Sequence, residues 1–147
     1  YFLSNTGITY NIFGVPRLII LNSQGTEYEK YYVHDQESYG AKWLRTYYDN
    51  NSKIYADFYG TYKLVSQASY PPNSISMISL SERKKIDGYI YLRYDNIIGK
   101  KLVETNASLF SNYNLSEYND IFTKTYKIYD NGGTEIMSSK GLNRWPR

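Results

Sequence analysis

Cysteine is absent from the chain, which excludes a disulfide framework, a thiolate metal site and a cysteine nucleophile. Histidine occurs once, methionine twice and proline four times, so a metal site built on several imidazoles is excluded as well. Long apolar runs are missing too. The best is 18–21, against the roughly 20 residues that a membrane-crossing helix needs. Charge of one sign is scarce, because 17 basic and 14 acidic residues leave only +3. A nucleic-acid binder carries a stronger, clustered positive field, and nucleic acid is not an expected partner.

Tyrosine is what the chain has in abundance. Of its 147 residues 19 are Tyr, and aromatics reach 18%, which argues for a folded chain whose core includes phenol rings with hydroxyls that need partners or a path to water. The length suits one domain. The opening YFLSNTGITYNIFGVP has no charged leader, apolar stretch or cleavage site of a signal peptide, and it reads as part of a longer protein. It carries no charge before Arg17, which suits a strand, a surface loop or the stub that follows a membrane span.

Helical spacing begins at His34. Gln36, Gly40, Trp43, Leu44 and Tyr47 share one face, Glu37, Lys42 and Arg45 point elsewhere, and the turn cluster at 49–52 ends the run. Asp35 can serve as its N-cap, and His34 with Glu37 has capping-box spacing. A short strand at 53–57, a short helix at 61–67, strands at 74–80 and 88–94, and a short helix opening at Ser116 follow. Asn131-Gly132-Gly133 between alternating runs is a hairpin signature. The prediction is an α/β fold: a small layered sandwich with a largely parallel sheet and a C-terminal antiparallel hairpin. Residues 34–139 form the α/β core, 1–33 a membrane-proximal or peripheral segment packed on it, and 140–147 a tail.

Four residues are candidates for ligand binding: Asp57, Tyr59, Tyr62 and His34. Asp57 falls where a parallel strand presents its carboxyl end, the usual edge of binding crevices, although an Asp there also caps the next turn. Tyr59 and Tyr62 belong to a dense aromatic region whose faces suit sugar rings or membrane headgroups, and which equally fills a core poor in aliphatics. His34 stands beside Asp35 and Glu37, yet a lone imidazole lacks zinc spacing, so no metal or cofactor is expected. SERKK at 81–85 and Gly99-Lys100-Lys101 read as solvated surface. Sequons at Asn50, Asn106 and Asn114 are candidates for N-glycosylation, at a frequency near that of chance in so Asn-rich a chain.

Three segments, VHDQESYGAKWLRTYYDNNSKIYADFYG, IDGYIYLRYDNIIGKKLV and LSEYNDIFTKTYKIYDNGGTEIM, together resemble the C-terminal soluble portion of an uncharacterised family of archaeal multi-span membrane proteins, distantly similar to GT-C-type glycosyltransferases and oligosaccharyltransferases. The resemblance covers about residues 30–138. It implies a domain on the extracytoplasmic side of the cell membrane, tethered to a membrane bundle that holds any polyprenyl-phosphate-sugar chemistry. The catalytic acids of such enzymes lie in loops between membrane spans, so no catalytic residue transfers to this chain. The expected function is a non-catalytic accessory domain that helps position a glycan or acceptor, its partners being the parent's membrane portion and a glycan or lipid-linked sugar. Two rivals stand beside it: an envelope interaction module marked by an apolar-aromatic patch, and a small hydrolase or transferase using His34 with Asp35, Glu37 or Asp57.

Overall fold

The computed structural model describes residues 26–49, 51–79, 86–106 and 109–139. Two units divide the chain, 1–32 and 33–147. In the first, the described part is helix α1 (Thr26–Tyr31), where Tyr28 and Tyr32, four residues apart, stack with ring centroids at 4.4 Å.

The second unit runs α2 (Asp35–Tyr47), β1 (Lys53–Ala56), α3 (Phe58–Ala68), β2 (Ile75–Met77), β3 (Gly88–Leu92), α4 (Tyr94–Ile97), β4 (Lys101–Asn106), β5 (Leu109–Asn114), α5 (Asn119–Phe122), β6 (Tyr126–Asp130) and β7 (Glu135–Ser138). A five-stranded sheet has the order β2-β1-β3-β7-β6, and β4 with β5 forms a separate antiparallel ribbon. Both β2 and β3 run parallel to β1, whereas β7 is antiparallel to β3 and to β6. The fold is the expected α/β sandwich with a largely parallel sheet and a C-terminal antiparallel hairpin.

Alternation along the strands builds two cores. Ile54 and Ala56 of β1, Tyr91 of β3 and Ile136 of β7 face Ala41 and Leu44 of α2, Leu64 of α3 and Tyr70. The residues between them, Ile90 and Leu92, face Ile78, Ile97, Leu102 and Tyr118 on the opposite side. Helices α2 and α3 therefore cover one face, and the β4–β5 ribbon with the segment through Tyr118 covers the other. Gly88 permits the start of this arrangement. Its φ of 153° is closed to most side chains, and a Cβ there would collide with the carbonyl oxygen of Lys53 on β1.

Four local expectations are corrected. Helix α3 begins at Phe58 rather than Thr61, and FYGTY is helix instead of loop, because the Asp57 side chain accepts the Gly60 N–H at 2.7 Å and starts the helix early. Glu37, expected to point away from the packed face, is fully buried. The N-cap of α2 is His34, and Asp35 is its first helical residue; the Glu37 carboxylate reaches back to the His34 N–H at 2.9 Å. The turn at Ser116 opens one step earlier as a 3-10 helix (Leu115–Tyr118), capped by Asn114, whose Oδ1 accepts the Ser116 N–H at 3.0 Å. The β4–β5 ribbon itself was not expected. Its strands carry three Asn and only one Lys, and nearly all of β5 is exposed, so no alternation announces it. Residues 81–85, Asn50, 1–25 and the tail lie outside the described residues.

Candidate functional site

The sheet order places β1 between β2 and β3, so consecutive connections leave in opposite directions between β1 and β3. The carboxyl edge at such a switch is where open α/β sheets form ligand crevices. Asp57 follows β1 and Arg93 follows β3 there. The two side chains, 1% and 0% exposed, meet across the switch. Arg93 Nε lies 3.0 Å from both Asp57 carboxylate oxygens. Asp57 also accepts from Gly60 N, from Asn96 Nδ2 at 3.0 Å and from Val103 N at 3.3 Å. A carboxylate offers about four lone-pair positions, and these donors occupy them. Asn96 Nδ2 donates its other N–H to the Lys101 carbonyl at 2.6 Å, which fastens the ribbon to the switch.

A second buried pair adjoins the first. Lys63 Nζ of α3 donates to both Glu37 oxygens at 2.7 Å, and the same carboxylate accepts the Tyr94 N–H at 2.9 Å. Tyr91 donates its hydroxyl proton to the Glu37 carbonyl at 3.0 Å. Burial pulls the Lys63 ammonium below its ordinary pKa, against the opposing pull of Glu37. Burial likewise drives the Tyr91 phenol well up, with the Glu37 charge adding to the shift. For Arg93 burial acts downward, but Asp57 and Asp95 outweigh it and the guanidinium is held above its usual value. All four central charges are opposite in pairs, so the seam is neutral as well as dry.

Two of the four candidate residues join this seam. Asp57 is its anchor, and Tyr59, 5% exposed, turns its ring toward Arg93, with Cζ at 5.4 Å from the ring centroid. Among the described residues the buried Arg93 Nη1 has no hydrogen-bond partner. His34 is at the helix end, its imidazole stacked on Tyr94 at 3.8 Å. Tyr62 is separate and 61% exposed, in edge contact with Phe58, which also meets Phe110 of the ribbon at 5.0 Å. Phe58, Tyr62 and Phe110 thus form an aromatic ledge above the switch.

Sequence reasoning passed over Lys63, Arg93 and Asn96, and it saw Glu37 only as a capping or catalytic carboxylate beside His34, not as a buried partner of Lys63. A signal existed for two of them: Lys63 is four residues from Tyr59 and next to Leu64, and Glu37 is four from Ala41 and seven from Leu44, so each charge stands on its helix's apolar stripe. Among the described residues no three His, Asp or Glu gather to hold a metal ion, and no helix is long and apolar enough to cross a membrane. Of the sequons, Asn114 is exposed at the end of β5, and Asn106 ends β4.

Compared with known proteins, residues 1–137 match a family model described as "Predicted membrane protein (DUF2206)". No curated protein and no solved structure matches the chain.

Proposed function

From the premise that the chain belongs to this family of predicted membrane proteins (DUF2206), we propose that it is a non-catalytic, water-facing domain of a membrane protein. Its role is to position a glycan or acceptor for chemistry carried elsewhere in the parent. The observation that carries the reading is the state of the switch point. Where an α/β enzyme keeps an open crevice, this chain has an Asp57–Arg93 pair with its lone pairs occupied and the Glu37–Lys63 pair behind it. What it offers solvent instead is aromatic: Tyr62 and Phe110 are 61% and 55% exposed on the ledge. Such rings present an apolar face that matches the C–H face of a sugar, and Tyr adds a hydroxyl at the rim. Placement outside the cytoplasm and a glycosyltransferase-like, archaeal parent are supported by the resemblance of the three segments quoted above and agree with the lack of cysteine.

The test is binding without turnover. The full chain is titrated with oligosaccharides and a water-soluble lipid-linked sugar analogue, and incubated with activated ester, phosphate and glycoside substrates. Saturable sugar binding that weakens in Tyr62→Ala and Phe110→Ala is expected. Turnover by the chain alone, lost in Asp57→Asn, would overturn the proposal.

A further inference from the structure

Of the acceptor triplets for N-linked glycans, the one at Asn114-Leu115-Ser116 is held in a defined geometry. Asn114 ends β5, and the 3-10 helix Leu115–Tyr118 follows it directly. Its neighbours turn inward: Tyr113 and Leu115 are half-buried against the core around Tyr118, and the Tyr113 and Tyr118 rings meet edge to face with centroids at 6.2 Å. Asn114 itself is exposed. The backbone is fixed on both sides, since the Asn114 N–H donates to Glu117 Oε1 at 2.8 Å and the Leu115 N–H to the Lys100 carbonyl at 2.8 Å. The side chains of the other two acceptors, Asn50 and Asn106, lie outside the described residues.

Two donors orient the Asn114 carboxamide. Ser116 gives Oδ1 both its N–H, at 3.0 Å, and its hydroxyl proton, at 2.8 Å. A backbone N–H only donates, so the amide atom that faces it is the oxygen, and Nδ2 takes the opposite arm. Among the described residues Nδ2 bonds to nothing, and the flanking Asn112, Ser116 and Glu117 are exposed as well. Asn96 and Asn131 differ, because each donates two hydrogen bonds through Nδ2 that tie distant parts of the chain together. At Asn114 a substituent on the nitrogen displaces no hydrogen bond. The hydroxyl at the third position, which the acceptor motif requires, already lies against the carboxamide.

We infer that Asn114 is an N-glycosylation site of the folded domain. The co-substrate is an oligosaccharide carried on a lipid phosphate or pyrophosphate. In the transfer Nδ2 attacks the anomeric carbon of the first sugar, a C–N bond forms, and the bond from that carbon to the phosphate oxygen breaks. The lipid phosphate leaves with the electron pair, and one Nδ2 proton passes to a base of the transferring enzyme. The inference rests on the proposed placement outside the cytoplasm, where acceptor triplets of this kind are used. It adds to that reading a glycan borne by the domain itself, distinct from the one that the ledge contacts.

The test is peptide mapping of the parent protein isolated from the membranes of its source cells. Chymotrypsin cuts after Phe110 and Tyr113 and so parts Asn114 from Asn106. A glycan mass on the Asn114 peptide is expected in the wild type and in Ser116→Thr, and its loss in Asn114→Asp and Ser116→Ala. Asn114→Asp keeps an acceptor for the Ser116 N–H, and Ser116→Ala keeps that N–H, so both variants leave the 3-10 helix capped. An unmodified Asn114 peptide in the wild type, or a glycan mass that survives in Asn114→Asp, overturns the inference. Labelling of intact cells with a membrane-impermeant amine reagent at the exposed Lys100 and Lys101 separates the two ways of failing. An unmodified Asn114 with both lysines labelled overturns the inference alone and leaves the placement standing. An unmodified Asn114 with the lysines labelled only after lysis removes the placement as well.

Discussion

Replacing Asp57 with alanine tests the view that the switch point is structural. The substitution removes the side-chain cap of α3, a loss of about 1 kcal/mol. It also leaves Arg93, 0% exposed, with Asp95 as its remaining ion-pair partner at 3.3 Å. Breaking a buried pair from one side costs about 3–5 kcal/mol, because the surviving charge stays desolvated. The Val103 N–H and the Asn96 amide lose an acceptor as well, so about 4–6 kcal/mol in total is the expectation. That is a large share of the roughly 5–15 kcal/mol available to a domain. Urea titration followed by far-UV circular dichroism measures it, with Arg93→Met and the double variant Asp57→Ala/Arg93→Met completing the cycle. Each single change should be severe and the double less so than their sum, by about 2 kcal/mol or more, since removing both charges leaves neither stranded. Additive effects, or an Asp57→Ala loss below about 1 kcal/mol, would refute the reasoning. A ligand-binding Asp57 predicts the latter, because a carboxylate kept for a ligand is commonly dispensable to the fold.

The buried phenols predict alkaline instability. Tyr70, Tyr91 and Tyr118 are all pushed up, first by burial, and Tyr118 additionally by its hydrogen bond to the Glu104 carboxylate. A phenol with a raised folded-state pKa contributes nothing to the pH dependence below the unfolded value near 10; above it the unfolded chain ionises first, and stability falls. Three such groups give a slope of up to about 4 kcal/mol per pH unit. Lys63 acts oppositely, since its lowered pKa makes stability rise between that value and 10.5, but it is one group against three. Unfolding above pH 10, coincident with a late step in tyrosinate absorbance, is expected; a flat stability profile to pH 12 would contradict it. Gly88→Ala should destabilise by more than about 2 kcal/mol, as it forces a Cβ into the Lys53 carbonyl at a φ of 153°; a thermal melt unchanged from the parent would remove that argument.

Local pattern in the sequence settled the elements with short-range causes. The helix from Asp35 was legible because Trp43, Leu44 and Gly40 repeat at helical spacing and a turn cluster follows; the closing hairpin was legible because Asn131, Gly132 and Gly133 separate two alternating runs. The parallel strands β1 and β3 showed as β-prone and tyrosine-rich windows at 53–57 and 88–94, a residue or two longer than the strands themselves, between connections long enough to cross over. The capping role of Asp57 was legible as the plainer of its two readings, and Gly60 Nα–H three residues on confirms it.

Other features depend on partners distant in the chain. Whether Glu37 faces water or core is decided by Lys63, 26 residues away, because a carboxylate is tolerated in a dry interior only beside a cation and donors enough to replace its water. Asp57 and Arg93 are 36 residues apart and meet only because β1 and β3 are parallel neighbours whose ends coincide. The same applies to the β4–β5 ribbon, which holds its place through Asn96 and Val103 rather than through any alternation of its own. The sequence by itself determined the helix from Asp35, the parallel strands, the closing hairpin and a core built with tyrosine, since backbone preference and apolar spacing act over a few residues. Only the tertiary structure decided which charges are buried and which rings remain in water, because desolvation depends on everything that surrounds a group once the chain has closed on itself.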